Sequence, residues 1–260
     1  LNVGVRHNVG RLHSMSIDGN LDMAADKLAS KVKAATRQNG SLVNDLDNIT
    51  TNRSELLNGD VRAVHIAKLN GDLTQVKTEL FGRYHRNDTG LDWSNTTTIV
   101  NPATVSLEDQ FQDNATDHWT VSVFPTIVQK VRPFWYLSAG VRIGSNNNAL
   151  NRNQGKFRGL GTAVDSLSAY FETSEMFIKP SLSLRRSTAK SQVNLTLGSS
   201  WSRFDRALDK TSLLKSDYLY LIPGFNYSSN YRQGRRVGLN YSSSVNMPNV
   251  NQLLPFTNTN

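Results

Sequence analysis

Cysteine is absent from this chain of 260 residues, which excludes a disulfide framework, a thiolate zinc site and a cysteine nucleophile. The chain also has no run of about 18 or more apolar residues, the length that a membrane-spanning helix needs. Hydrophobic residues make up 38% of the composition, and the mean hydropathy is -0.44. These values argue against a helical membrane protein. They fit a soluble β protein or a β-barrel with a polar interior.

Catalytic and metal-binding motifs are missing as well. The five histidines form no His-Glu-x-x-His motif. Lys156 lies in a glycine-rich stretch but is not followed by serine or threonine, so a phosphate-binding loop is not predicted. Gly198 to Trp201 does not make a Gly-x-Ser-x-Gly elbow. We therefore predict that the protein is not an enzyme and holds no metal and no cofactor.

The charge balance is basic, with 29 Lys and Arg residues against 21 Asp and Glu residues and a formal net charge of +8. The cations are spread along the chain and are not gathered with aromatic stacking platforms on one module. This distribution does not predict a nucleic-acid partner. It suits basic surfaces that face anionic lipid headgroups or an anionic solute.

Alternation of apolar and polar residues is the strongest pattern in the chain. One side of the segment 135–144 carries Trp135, Leu137, Ala139, Val141 and Ile143, and polar or small residues lie between them. A period of two places these side chains on one face of a strand, which a helix does not do. The segment 119–128 alternates in the same way, so the two predict an antiparallel hairpin.

Four further hairpins follow from the same template, giving about ten strands of roughly 10 to 14 residues each. The predicted tight turns lie near Asp26, Asn70, Arg132, Ser187 and Tyr231. Longer connections rich in Asn, Asp and Gly are predicted between the hairpins, including 86–116 and 147–169.

The segment 22–37 allows two interpretations. Ala24, Leu28, Val32 and Ala35 have helical spacing and predict an amphipathic helix. An extended chain instead puts Leu28, Val32 and Ala34 outward and the nearby cations inward. We favour a strand, because the alternating segment 15–23 needs a pairing partner.

Short turns that alternate with long loops, joined by strands with one apolar and one polar face, are typical of a membrane-spanning β-barrel. The predicted fold is all-β, an antiparallel transmembrane β-barrel segment. The alternative is an antiparallel sandwich or a set of small soluble β domains. In the barrel, the predicted lumen-lining residues are Lys77, Arg83, Arg142, Lys179, Arg185 and Arg236.

The stretch 218–255 resembles the outer-membrane β-barrel family of TonB-dependent receptors. The resemblance consists of a strand with an inner proline, a short turn, a Tyr-Ser strand, and then a proline and a Gln-Leu-x-Pro element. The residues of that last part are Pro248, Gln252, Leu253 and Pro255. Asn249 departs from the Ser or Thr of the family pattern.

The resemblance implies a barrel of 22 strands with an N-terminal plug, which imports a scarce solute with energy delivered through a TonB-type partner. Residues 1–260 would then form part of a single outer-membrane barrel domain, without the plug or the barrel C-terminus. Expected partners are outer-membrane lipid and a small solute, such as an oligosaccharide or a siderophore-like compound. The alternatives are a structural, adhesive or passive-pore barrel and a soluble β-rich carbohydrate-binding module.

Overall fold

A computed structural model describes residues 1–70, 73–156, 162–163, 168–232 and 235–245. The described residues form β-strands joined by short connections, as the period-two pattern predicts. None of them forms a helix long and apolar enough to cross a membrane. The all-β fold class is confirmed.

Ten strands and one two-residue strand make up the sheet. They are β1 (Asn2–Val9), β2 (His13–Gln38), β3 (Ser41–Leu69), β4 (Thr74–Ile99), β5 (Thr104–Arg132), β6 (Trp135–Lys156), β7 (Thr162–Ala163), β8 (Ala169–Ser187), β9 (Ser191–Leu208), β10 (Thr211–Arg232) and β11 (Arg235–Ser242). Each long strand pairs antiparallel with its neighbours along the chain, and β7 pairs only with β6. Within the described residues β1 and β11 do not pair with each other, so the sheet is open.

Four of the five predicted tight turns agree with the strand ends. β3 and β4 meet around Asn70, β5 and β6 around 133–134, and β8 and β9 just after Ser187. β10 ends at Arg232 and β11 begins at Arg235, close to the turn predicted near Tyr231. The β3–β4 connection is longer than a two-residue turn, because Leu69 pairs with Thr74.

The turn predicted near Asp26 is wrong. Asp26 pairs with Ser54 in the middle of β2, and the whole segment 22–37 is strand. The apolar residues change parity within β2, from Met23 to Leu28, and this change resembled a turn. The chain instead continues straight and reverses at Asn39-Gly40, where both residues have positive φ, 50° and 82°. An Asn-Gly pair suits the type I′ hairpin turn for this reason.

The predicted strand lengths and long loops are also corrected. β3 and β5 contain 29 residues each, and β4 runs to Ile99, so most of 86–116 is strand. Residues 147–156 belong to β6, and part of the predicted loop 147–169 falls outside the described residues. Asn and Asp favour turns when they stand alone. Here their side chains bond across strands, as Asn48 Nδ2 does to Asn95 Oδ1 at 2.5 Å.

Candidate functional site: an apolar band and a basic polar face

One face of the sheet carries an uninterrupted line of apolar residues across nine strands. Directly paired residues point to the same side of a sheet. The line is Val5, Ile17, Ala63, Leu80, Val123, Ile143, Ile178, Trp201 and Leu219. We call this side the apolar face and the opposite side the polar face.

The apolar face is the more exposed of the two. Leu80 is 54% exposed, Leu197 57% and Leu219 70%, and none of them is covered by a second layer of the described structure. The tightest packing is on the polar face, where Phe171 and Ser202 are each only 2% exposed. Exposed apolar surface on this scale marks contact with another apolar phase or partner.

The apolar residues form a band of limited height. On β2 the band ends at Met23, and beyond it the same face carries Lys27, Lys31 and Lys33. This corrects the expectation that the cations of this segment share the polar side with Asp18. The strands continue past the band with largely polar residues on both faces, among which apolar side chains such as Leu28 and Leu107 are scattered. We call that part, residues 24–56, 86–117, 146–156, 169–175 and 203–217, the upper extension.

The band runs obliquely to the paired rows. The row of Met23 reaches Ser212 on β10, whereas the band on β10 begins at Leu219, seven residues farther along. The shift is about one residue per strand. One residue corresponds to a rise of about 3.3 Å along a strand, and neighbouring strands are about 4.8 Å apart. Within the plane of the sheet, the strands therefore tilt by about 35° from the direction perpendicular to the band. Barrel walls in membranes have tilts of about 35–45°.

Aromatic side chains lie at the margins of the band. Trp119 pairs with Tyr84 at its upper margin on β4 and β5. Trp201 lies near the upper margin on β9, and Trp135 begins β6 at the lower margin. Rings with a polar edge favour the boundary between an apolar layer and water. Trp93 differs, because it lies on the polar face within the upper extension.

All six predicted lumen-lining residues lie on the polar face, by their strand parity. The structure brings two of them, Arg142 and Lys179, into direct register across β6 and β8. Lys77 and Arg142 both approach Glu79. Arg83, Arg185 and Arg236 lie apart from that cluster. Pro248, Gln252, Leu253 and Pro255 are outside the described residues.

Glu79 is the centre of a charge cluster on the polar face. Its Oε2 accepts a hydrogen bond from Arg62 Nη2 at 2.7 Å and one from Lys77 Nζ at 3.0 Å. Arg142 Nη2 lies 3.7 Å from Oε1. The residue is only 7% exposed, so its carboxylate is stabilised by three cations in place of water. We call these four residues the Glu79 cluster.

Glu79 was missed at the sequence level, although the signal was present. Lys77 and Glu79 are two residues apart and therefore share a face of β4. Arg62 could be found only from register, because it approaches Glu79 from β3. The alternation pattern places residues on a face but does not set which strand positions meet.

Aromatic rings support other cations on the polar face. Lys179 Nζ lies 4.4 Å from the centroid of Phe177, and the Arg142 guanidinium carbon lies 4.9 Å from the centroid of Phe124. Such contacts favour a cation by about 0.5–1 kcal/mol where water is near. The Phe177 ring lies over Gly144, where a Cβ would come within 2.6 Å of its Cζ. Glycine at this position therefore makes room for the ring.

The upper extension has a different chemistry. Its ion pairs on the side continuous with the apolar face include Lys31 with Asp47 at 2.9 Å, Arg53 with Asp92 at 2.7 Å and Arg86 with Asp88 at 2.8 Å. The hydrogen bond from Lys31 lowers the pKa of the Asp47 carboxyl below its ordinary value. A shallow depression of about 370 Å³ lies around Gly90 among these charges. In the described part of the chain, no group of three His, Cys, Asp or Glu side chains is placed to hold a metal ion.

The chain matches no family model and no curated protein.

Proposed function

We propose that this chain forms part of the wall of an outer-membrane β-barrel. The observation that carries the proposal is the exposed apolar band, because a surface of this extent on ten paired strands is stable only against lipid or another apolar phase. The polar face then lines the interior. The upper extension projects beyond the hydrocarbon on the side away from the β3–β4 and β5–β6 connections.

Further strands would be needed to close such a barrel. Within the hydrocarbon, the free edges of β1 and β11 would leave backbone N–H and C=O groups without partners, at several kcal/mol each. Closure removes those edges. The proposed barrel therefore contains strands in addition to the ten described here, as the 22-stranded barrel implied by the resemblance does.

We further propose that the complete protein is an energy-coupled uptake receptor of the TonB-dependent class. The support for this step is the resemblance of residues 218–255. A basic interior face suits solute transfer better than a purely structural wall, which needs no charge on its inner side. Uptake of the solute by cells would then stop when the TonB-type partner is deleted. Uptake that persists in such cells would identify a passive pore instead.

Fluorescence quenching by brominated lipid tests the membrane wall. The full-length protein is reconstituted in vesicles as four variants, each of which keeps one of the tryptophans 93, 119, 135 and 201 and has every other tryptophan of the protein replaced by phenylalanine. We expect lipids brominated along the acyl chain to quench the variants that retain Trp119, Trp135 or Trp201. The variant that retains Trp93 should be quenched little, because that side chain lies on the polar face above the band.

Equal quenching of all four variants, or none of any, would contradict the proposal. A protein that stays monomeric in water without detergent would support the soluble carbohydrate-binding alternative. A band whose gel mobility changes on heating is expected for the barrel.

A further inference from the structure

The polar face between β4 and β8, at the level of the apolar band and immediately above it, carries more cations than acids. The acids there are Glu79 and Glu175. The cations are Lys77, Arg83, Lys130, Arg142, Lys179 and Arg185. All of them belong to the parity that lies opposite the band.

Neither acid neutralises this excess. The Glu79 carboxylate carries one charge and contacts three cations, one of which, Arg62, comes from β3. Glu175 accepts hydrogen bonds from Asn146 Nδ2 at 2.6 Å and from Ser202 Oγ at 2.7 Å, which are uncharged donors. The region therefore keeps a net positive charge.

Lys179 and Arg83 are held in place without a salt bridge to any described carboxylate. Lys179 lies over Phe177 at 4.4 Å and Arg83 over Phe81 at 5.4 Å. Contact with a ring face orients a cation but does not neutralise it. The ammonium and guanidinium groups stay able to interact with a further anion.

The neighbouring strands β2 and β3 carry both acids and cations on the polar face at this level. Asp18 on β2 and Asp60 on β3 lie on the same polar face, and Asp60 pairs in register with Arg83. Asp18 is itself paired in register with Arg62. The excess of positive charge therefore lies on β4, β5, β6 and β8, and an anion would be attracted to that part of the polar face.

We propose that this basic surface, centred on Arg142 and Lys179, binds a multiply charged anionic solute with carboxylate or phosphate groups. The inference rests on the proposed barrel, because only there does the polar face enclose a path for solute. Arg142 and Lys179 are paired neighbours on β6 and β8 and present adjacent cations. Glu79 limits the strength of the site by reducing the local positive charge.

The test is anion binding by the full-length protein in detergent. Pyrenetrisulfonate serves as the probe, and its fluorescence anisotropy is measured at low salt. Lys179→Gln should weaken binding about threefold to tenfold, since one nearby charge is lost in a partly screened site. Glu79→Gln should tighten binding by a similar factor. If Lys179 and Glu79 were needed only for folding, both variants would bind the probe more weakly.

Lys33→Gln is the matched control, because it removes one charge from the other side of the sheet, in the upper extension. It should leave the affinity unchanged. Inositol hexakisphosphate should displace the probe, whereas uncharged inositol should not. If Lys179→Gln and Lys33→Gln behave alike, or inositol displaces the probe equally well, the inference is wrong.

The proposed function is separable from this outcome. Lipid quenching of Trp119, Trp135 and Trp201 together with no effect of Lys179→Gln would retain the barrel and overturn the anion site. If Glu79→Gln does not fold, Lys179→Gln decides alone, because Lys179 makes no salt bridge within the described structure.

Discussion

The same strands have two different surface chemistries at two heights. Within the band, β2 presents Met15, Ile17 and Leu21 on one face and Ser16 and Asp18 on the other. In the upper extension both faces of β2 to β5 are largely polar, although the backbone pairing continues without interruption. Backbone hydrogen bonds therefore set the length of the strands. In the proposed barrel, the choice of side chains at each height follows from whether lipid or water lies against that face.

The two regions should also depend on different interactions. The upper extension is held by ladder hydrogen bonds and exposed ion pairs, and such ion pairs contribute about 0–1 kcal/mol each. In the proposed barrel the band is instead stabilised by the removal of its apolar side chains from water into lipid. A substitution of the same chemistry should then have a large effect at one height and a small effect at the other.

The largest difference is expected when a leucine is replaced by arginine at each height. Leu80 lies in the middle of the band and is 54% exposed, and Leu107 lies on the same face in the upper extension and is 55% exposed. Leu80→Arg should destabilise the protein in vesicles by about 2–4 kcal/mol, the cost of arginine near the centre of a bilayer. Leu107→Arg should change stability by about 0.5 kcal/mol or less. Guanidinium unfolding in vesicles measures both.

Matched exposure makes this pair informative. In a soluble protein two leucines of equal exposure would tolerate arginine equally. Equal free energies of unfolding for the two variants would therefore contradict a membrane origin of the band.

A smaller difference is expected between two glycines. A Cβ at Gly144 would lie 2.5 Å from the carbonyl oxygen of Val121 and 2.6 Å from Phe177, so Gly144→Ala forces backbone or ring to move. We expect a loss of about 1–3 kcal/mol from overpacking. A Cβ at Gly90, in the upper extension, would meet the ends of the Asp113 and Arg53 side chains at 3.0 and 3.4 Å. These can shift, so Gly90→Ala should have little effect.

Unfolding midpoints of the two alanine variants provide the measurement. Gly224→Ala is a second control, because its nearest atoms lie 3.7 Å away or more and it occupies the same polar face as Gly144. A loss at Gly224 as large as that at Gly144 would show that glycine is needed for strand backbone alone. The clash with the Phe177 ring would then not explain the effect at Gly144.

Sequence reasoning was successful for the band and weaker above it. Segregated alternation in 119–128 and 135–144 located a hairpin correctly, because one face was consistently apolar. Above the band both faces are largely polar, so the clear alternation disappears, and composition suggested loops where β4 and β5 continue. The Asn39-Gly40 pair was the available signal for the true end of β2.

The Glu79 cluster shows a second limit. The parity of Lys77 and Arg142 was readable from the sequence, and both lie on the polar face. Their approach to one carboxylate depends on the register of β3, β4 and β6, which turns determine. The turn positions were uncertain by several residues, so the contacts were not predictable.

The smallest effect is expected at Asp47, where the upper extension relies on charge. The hydrogen bond from Lys31, with Lys33 nearby, lowers the pKa of the carboxyl. A lowered pKa means that the folded state favours the ionised form. The stability it adds is present above the ordinary carboxyl pKa and is lost as the pH falls through the lowered value. The unfolding midpoints of the unaltered protein and of Asp47→Asn should therefore differ at neutral pH and converge in acid.

In a background carrying Lys31→Gln and Lys33→Gln, Asp47→Asn should have no pH-dependent effect. A difference that persists there would mean that Asp47 acts through the backbone and not through its charge, and the two heights would then be distinguished by lipid contact alone.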